Sequence, residues 1–227
     1  MPEPSHLILK RLPLFAALGD QDLEQIGTLV IYKKYRRNTF VFNEGEPGEA
    51  LCFVKSGRVK ISKTAPDGRE QILHIMGPGD IFGEIVLFVG GPYPATAETV
   101  EDSEIGMIRN QDIEDLIRRN GDVALTMLKI MARRLKDAQA KIRDLALKDT
   151  PGRTADLLLR LAQTSGVEGE DGIRVPLDLS RQDLASMIGT SRETITRILC
   201  ELDRQGIINL DRYEITIRDP ERLKTWE

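Results

Sequence analysis

The chain has 227 residues, 41% of them hydrophobic and 30% charged, which suits one or two domains with a buried core. No apolar run approaches the roughly 18 residues of a membrane-spanning helix, and the first ten residues lack the charged start, apolar stretch and small-residue cleavage site of a secretory signal, so a cytoplasmic protein without membrane contact is expected. Two cysteines far apart, Cys52 and Cys200, and two histidines exclude a structural zinc or a four-cysteine iron-sulfur cluster within one chain, while a net charge of −4 opposes nucleic-acid binding unless cations cluster locally.

A short leading helix is predicted over residues 20–29, with Leu23, Ile26 and Leu29 or Val30 on one face. Turn-forming clusters then recur about every ten residues: 43–48, Ser56-Gly57, Pro66-Asp67-Gly68, Gly77-Pro78-Gly79-Asp80, Gly90-Gly91-Pro92 and Glu101-Asp102-Ser103. Between them the branched and aromatic runs at 51–54, 59–62 and 71–76 read as short strands, so residues 1–110 form a compact β domain. After Asn110 the period changes. Asp122 can cap a helix of about 26 residues that meets no Gly or Pro before Thr150-Pro151.

In that helix Leu128, Met131, Leu135, Ala138, Ile142 and Leu145 recur at spacings of three and four, a coiled-coil seam, while Met127 and Ile130 form a second apolar face. Either both faces pack within one chain, or one meets the β domain and the other a second copy in a parallel homodimer. Residues 111–147 therefore read as a central dimerisation region. Thr150 before Pro151 reads as the cap of a new helix carrying Leu157, Leu158, Leu161 and Ala162, which opens a C-terminal domain over 148–227. Within it, 166–172 reads as a polar loop, 173–177 as an edge strand containing Pro176, and 207–210 with 214–217 as a hairpin turned at 211–213. Two strands after helices suggest a wing.

Residues 180–202 hold two helix starts, Ser180 with Asp183 and Thr190 with Glu193, separated by Gly189. Ala185 leaves room for a crossing helix, and Leu184, Ile188, Ile195, Ile198 and Leu199 supply a shared apolar seam, the local chemistry of a helix-turn-helix. On the second helix Arg192, Glu193, Thr196 and Arg197 share a face opposite that seam. Arginine can donate two hydrogen bonds to guanine and glutamate can accept from cytosine, each good contact being worth about 1–3 kcal/mol of discrimination. The bland alternative is that Glu193 only closes a cap and pairs with Arg197 on the surface, for about 0.3–0.5 kcal/mol. Residues 148–227 carry 12 Lys and Arg against 15 Asp and Glu, a net of −3, so non-specific affinity is modest. Specific binding then needs a dimer, with Ser180, Arg181, Gln182 and Ser191 at helix starts holding phosphates.

With Gly79-Asp80-Ile81-Phe82-Gly83-Glu84 in the β domain, Met131-Ala132-Arg133-Arg134-Leu135 in the long helix and Ser191-Arg192-Glu193-Thr194-Ile195-Thr196-Arg197 in the second reading helix, the sequence closely resembles the CRP/FNR family of bacterial transcription regulators over nearly its whole length. The resemblance implies an α+β chain: a cyclic-nucleotide-binding-type β roll (a double-stranded jelly roll), a dimerising helix and a winged helix-turn-helix. It also implies double-stranded DNA, a second copy of the chain and RNA polymerase as partners. Arg192, Glu193 and Arg197 match the pattern of members that read TGTGA-like half-sites.

In cyclic-AMP-binding members a Gly-Glu pair contacts the ribose and an Arg-Ser pair grips the phosphate. The first pair is present as Gly83-Glu84, followed by Ile85, but Tyr93-Pro94, followed by Ala95, stands where the second is expected. The pair that meets adenine is matched by Ala138-Gln139, leaving Arg133 or Arg134 to compensate. A cyclic phosphate needs a cation or N–H donors and proline has no N–H, so cyclic AMP is not the expected effector. Another small molecule, haem, a redox signal or no effector at all remains, with His6, His74, Cys52 or a methionine as the axial ligands haem would need. A structural histidine and a core cysteine are the ordinary readings of His74 and Cys52. The alternatives are a cyclic-nucleotide-responsive regulator with a divergent pocket, or a regulatory module acting through protein contacts, which the helix-turn-helix disfavours. No Walker loop, nucleophile elbow or metal motif points to an enzyme.

Overall fold

The structure, a computed structural model, describes residues 5–16, 18–177, 179–211 and 214–226, with backbone alone for 5 and 6. Its chain falls into two compact units, one comprising residues up to Lys63 with Ile72–Leu135, the other Thr64–Gln71 with the residues from Lys136 onward.

The first unit opens with helices α1 (Ser5–Lys10) and α2 (Asp20–Gly27). Strands β1 (Ile31–Tyr35), β2 (Phe40–Phe42), β3 (Ala50–Ser56), β4 (Val59–Thr64), β5 (Glu70–Met76) and β6 (Ile81–Phe82) follow. Then come helix α3 (Glu84–Val89), strands β7 (Thr96–Thr99) and β8 (Ser103–Arg109), helix α4 (Asn110–Arg119) and the 27-residue α5 (Gly121–Leu147). Two four-stranded sheets, ordered β1-β8-β3-β6 and β2-β7-β4-β5, make a double-layered roll.

Strand β3 is buried on both faces because successive side chains alternate between two cores. Leu51 and Phe53 join a cluster with Phe15, Leu23, Ile113 and Met127 from the helices, whereas Cys52 and Val54 join Phe42, Val59, Phe82 and Tyr93 between the sheets. Gly106 on β8 lies opposite Phe53, and a Cβ there would sit 2.1 Å from the ring, so only glycine lets the phenyl group fill that space.

Leu23 and Ile26 of α2 are buried, as their spacing predicts; α1, α3 and α4 had no counterpart among the predicted elements. The cap at the start of α5 comes from Asn120, whose Oδ1 accepts the Asp122 N–H at 3.1 Å, and not from Asp122 itself. Met127 and Ile130 face the cluster beneath the roll, as the second apolar face predicted.

The second unit contains α6 (Thr150–Ser165), β9 (Val167–Gly169), β10 (Gly172–Pro176), α7 (Arg181–Ile188), α8 (Arg192–Arg204), β11 (Ile208–Leu210), β12 (Glu214–Ile217) and α9 (Pro220–Lys224). Its sheet runs β11-β12-β10-β9. Two expectations are corrected here. Thr150 is the first residue of α6, and the cap is Asp149, whose carboxylate accepts the Gly152 N–H at 2.9 Å. The segment 173–177 is not an edge strand: β10 lies between β12 and β9 because Val167–Gly169 folds back on it, with Gly172 at φ +127° completing the turn. Pro176 sits at the last pairing position, where its missing N–H costs least. The hairpin of β11 and β12 stands as predicted, its turn residues 212 and 213 lying outside the described residues.

Candidate nucleic-acid interface and effector slot

The helix-turn-helix is built from local hydrogen bonds. Ser180 and Asp183 form a reciprocal capping box: Ser180 Oγ accepts the Asp183 N–H at 3.1 Å, and the Asp183 carboxylate accepts the Ser180 N–H at 2.9 Å. Helix α7 ends at Gly189, whose φ of 68° is the left-handed conformation that glycine adopts without strain. The second helix starts one residue later than its sequence suggests. Ser191, not Thr190, is the N-cap and accepts the Thr194 N–H at 3.2 Å. Both residue types can cap; Ser191 is the one that stands in extended conformation, with φ −84° and ψ 156°.

Helix α8 then divides by face. Ile195, Ile198, Leu199 and Leu202 are buried against α6, α7 and the sheet, while Ser191, Arg192, Glu193, Thr196 and Arg197 are exposed. Neither Arg192 nor Arg197 makes an ion pair among the described residues, so the Glu193–Arg197 surface pair is not formed. Hydrogen bonds from its own backbone N–H and from Ser191 hold the Glu193 carboxyl below the usual glutamate range, with the neighbouring Arg192 adding to the effect, and keep it an anionic acceptor. The Thr196 hydroxyl donates to the Arg192 carbonyl at 2.7 Å, which leaves its oxygen as an acceptor and its methyl for apolar contact. On α7 Gln182 is exposed and donates to Ser186, while Arg181 is half-buried and burial lowers its affinity for a proton.

In the first unit the structure brings Gly83, Glu84, Tyr93 and Arg134 together. Gly83, at φ 79°, turns β6 into α3, and a Cβ there would stand 3.1 Å from the Ala50 carbonyl and 3.2 Å from the Tyr93 ring. Glu84 is buried and its carboxylate meets the Arg134 guanidinium at 2.6 Å, while another arm of Arg134 donates to the Ile81 carbonyl. Tyr93 is buried too, stacked on Phe42 with ring centroids 3.7 Å apart and planes 7° from parallel, its hydroxyl donating to the Ala50 carbonyl at 3.0 Å. Ala95 is buried beside it in sequence, whereas Pro94 and Arg133 are exposed, as are Ala138 and Gln139 farther along α5.

Ile85 faces the other way. With Phe88, Val89, Leu128 and Met131 it lines an apolar groove of about 450 Å³ between α3 and α5. Leu135, Ile142 and Leu145 continue an exposed apolar stripe along α5. Sequence reasoning missed Phe42 and the carbonyls of Ala50 and Ile81, partners that carry no motif, and it missed the outward ridge of α3 because an unbroken apolar run reads as buried.

Cys52 lies between the sheets, where burial pushes its thiol up to about 12, so it is neither a thiolate nor an accessible ligand at neutral pH. His74 is half-buried on β5, Cys200 is exposed on α8, and the side chain of His6 lies outside the described residues. Among the described residues no group of three His, Cys, Asp or Glu side chains could hold a metal ion, and no helix is long and apolar enough to cross a membrane.

Comparison with known proteins agrees with this geometry. Residues 32–120 match the cyclic nucleotide-binding domain and residues 152–226 the Crp-like helix-turn-helix domain. The chain is 35% identical over 216 residues to the CRP-like cAMP-activated global transcriptional regulator of Mycobacterium tuberculosis, covering 95% of this chain and 96% of that protein. It is 36% identical over 190 residues to the anaerobic regulatory protein of Bacillus subtilis, covering 83% and 79%. The solved structure of FixK2 from Bradyrhizobium japonicum superposes with a TM-score of 0.77 at 28% identity, over 87% of this chain and 97% of that one. The two domain matches and the similarity to such relatives over nearly the full length make this chain a transcription regulator of the CRP/FNR family and not an enzyme.

Proposed function

We propose that the protein regulates transcription as a homodimer on an inverted-repeat operator, with each α8 in a major groove and half-sites about one helical turn, roughly 10 base pairs, apart. The observation that carries this reading is that Arg192 and Arg197 are exposed on the face of α8 opposite its buried ridge and make no ion pair among the described residues. An arginine in water that makes no ion pair keeps its donors for a partner. Arg192 and Arg197 read guanines, Glu193 accepts from cytosine N4, and Thr196 contacts a neighbouring base, giving a TGTGA-like half-site. Ser180, Arg181, Gln182 and Ser191 hold backbone phosphates.

The second copy is supported by Leu128, Leu135, Ile142 and Leu145, each more than half exposed on one side of α5. Such a stripe is stable in water only when covered, and its heptad spacing fits a second identical helix. RNA polymerase is the further partner of a regulator of this class. Selection from random DNA should return a palindrome; Arg197→Ala should relax one base position at a cost of about 1–3 kcal/mol per half-site, whereas Arg181→Ala should weaken all sequences alike. A palindrome logo unchanged in Arg197→Ala would sink the base assignment. Sedimentation should show a dimer at micromolar concentration that Ile142→Lys disrupts, and a monomeric wild type would end the dimer reading.

A second reading, a regulator switched by a cyclic nucleotide, is favoured by the domain match over residues 32–120 and by the name of the M. tuberculosis relative. The filled slot beside Gly83 opposes it.

A further inference from the structure

The domain match over residues 32–120 implies a cyclic nucleotide, and the residues present do not fit one. An anionic phosphate needs donors. Both donors of Tyr93 are spent, its hydroxyl on the Ala50 carbonyl at 3.0 Å and its amide on the Glu46 carbonyl at 2.9 Å, and Pro94 has none. The space is also taken: the Tyr93 ring lies flat on Phe42 and closes over Gly83, which the Ala50 carbonyl crowds from the other side. Glu84, the acceptor a ribose hydroxyl would seek, is 6% exposed and already neutralised by Arg134.

We propose that these side chains take the effector's place: Arg134 serves as a built-in ligand for Glu84, Tyr93 fills the slot, and the protein binds its operator without any small molecule. The proposal rests on the DNA-binding reading above. A ligand switches a protein only through contacts that differ between two arrangements. Here the contact joining the roll to the central helix is made within the chain, because Glu84 opens α3 and Arg134 lies on α5, which continues into residues of the second unit. A nucleotide that captured Glu84 would strand a largely buried guanidinium, so its gain is cancelled at the point of entry. The Ile81 carbonyl gives Arg134 a second anchor, which holds the guanidinium in place when thermal motion stretches the ion pair.

Full-length protein, unfolded and refolded to strip small molecules and checked by mass spectrometry, should bind its selected operator as tightly as untreated protein. Millimolar cyclic AMP or cyclic GMP should change that affinity less than about twofold, well below the 5- to 150-fold of ordinary allosteric coupling. Calorimetry should show no heat of nucleotide binding. Arg134→Ala should weaken operator binding at least about fivefold, and the charge swap Glu84→Arg with Arg134→Glu should recover part of that loss; if Arg134→Ala does not fold, the swap against Glu84→Gln carries the comparison. Micromolar nucleotide binding, or operator binding that appears only with nucleotide, overturns the proposal, as does a folded Arg134→Ala that binds like wild type. Failure to select any DNA would defeat the DNA reading alone, since calorimetry judges the closed slot without DNA.

Discussion

The same residue type is used in opposite ways in the two units. Arg134 in the first is largely buried, paired with Glu84 and anchored on the Ile81 carbonyl, whereas Arg192 and Arg197 in the second stand in solvent with no ion-pair partner among the described residues. Burying a charge costs several kcal/mol unless a partner compensates, so a buried guanidinium is committed to its own fold. An exposed one costs the fold almost nothing and remains available to another molecule. The difference shows why a cation count, or a net charge of −4, says little about partners.

The largest effect should come from what holds the exposed arginines in place. Leu199 is fully buried beneath them, and Leu199→Ala should destabilise the second unit by about 2–5 kcal/mol and abolish operator binding with every arginine intact. Chemical unfolding followed by fluorescence of Trp226 checks it; a loss below about 1 kcal/mol would show that α8 does not depend on this ridge.

The comparison itself can be broken with one substitution at two places. Arg134→Ala leaves Glu84 buried without compensation and should cost the first unit about 3 kcal/mol, the lower end of the usual range because a fifth of the Arg134 side chain stays in water. Arg192→Ala should change stability by less than about 0.5 kcal/mol, its effect confined to DNA. Equal losses in denaturant titrations would erase the distinction.

Smaller effects sharpen it. Ser180→Ala removes an acceptor from the capping box and should lower stability by about 1 kcal/mol, whereas Thr190→Ala should cost little because Ser191 does the capping. The two thiols should differ in access: iodoacetamide at neutral pH should label exposed Cys200 in the native protein and reach Cys52 only on unfolding, read by peptide mass. Native labelling of Cys52 would show that the space between the sheets opens to solvent.

What could be read in advance was local. The Ser180-Asp183 box, the turn at Gly189, the two faces of α8 and the seam of α5 are written in spacings of three and four residues, and helices obey those spacings whatever surrounds them. Where two neighbours could do the same job, the sequence reading chooses Thr150 and Thr190 and the structure caps with Asp149 and Ser191, because capping energies are alike and residue type does not separate such neighbours. The partners of Glu84 and Tyr93 were beyond its reach: Arg134 is fifty residues from Glu84, and the Ala50 and Ile81 carbonyls are backbone atoms with no residue signature. Only tertiary packing decided that the slot is filled from within and that Ile85 looks outward, since burial and pairing depend on which chain segments meet in space, which local periodicity does not encode.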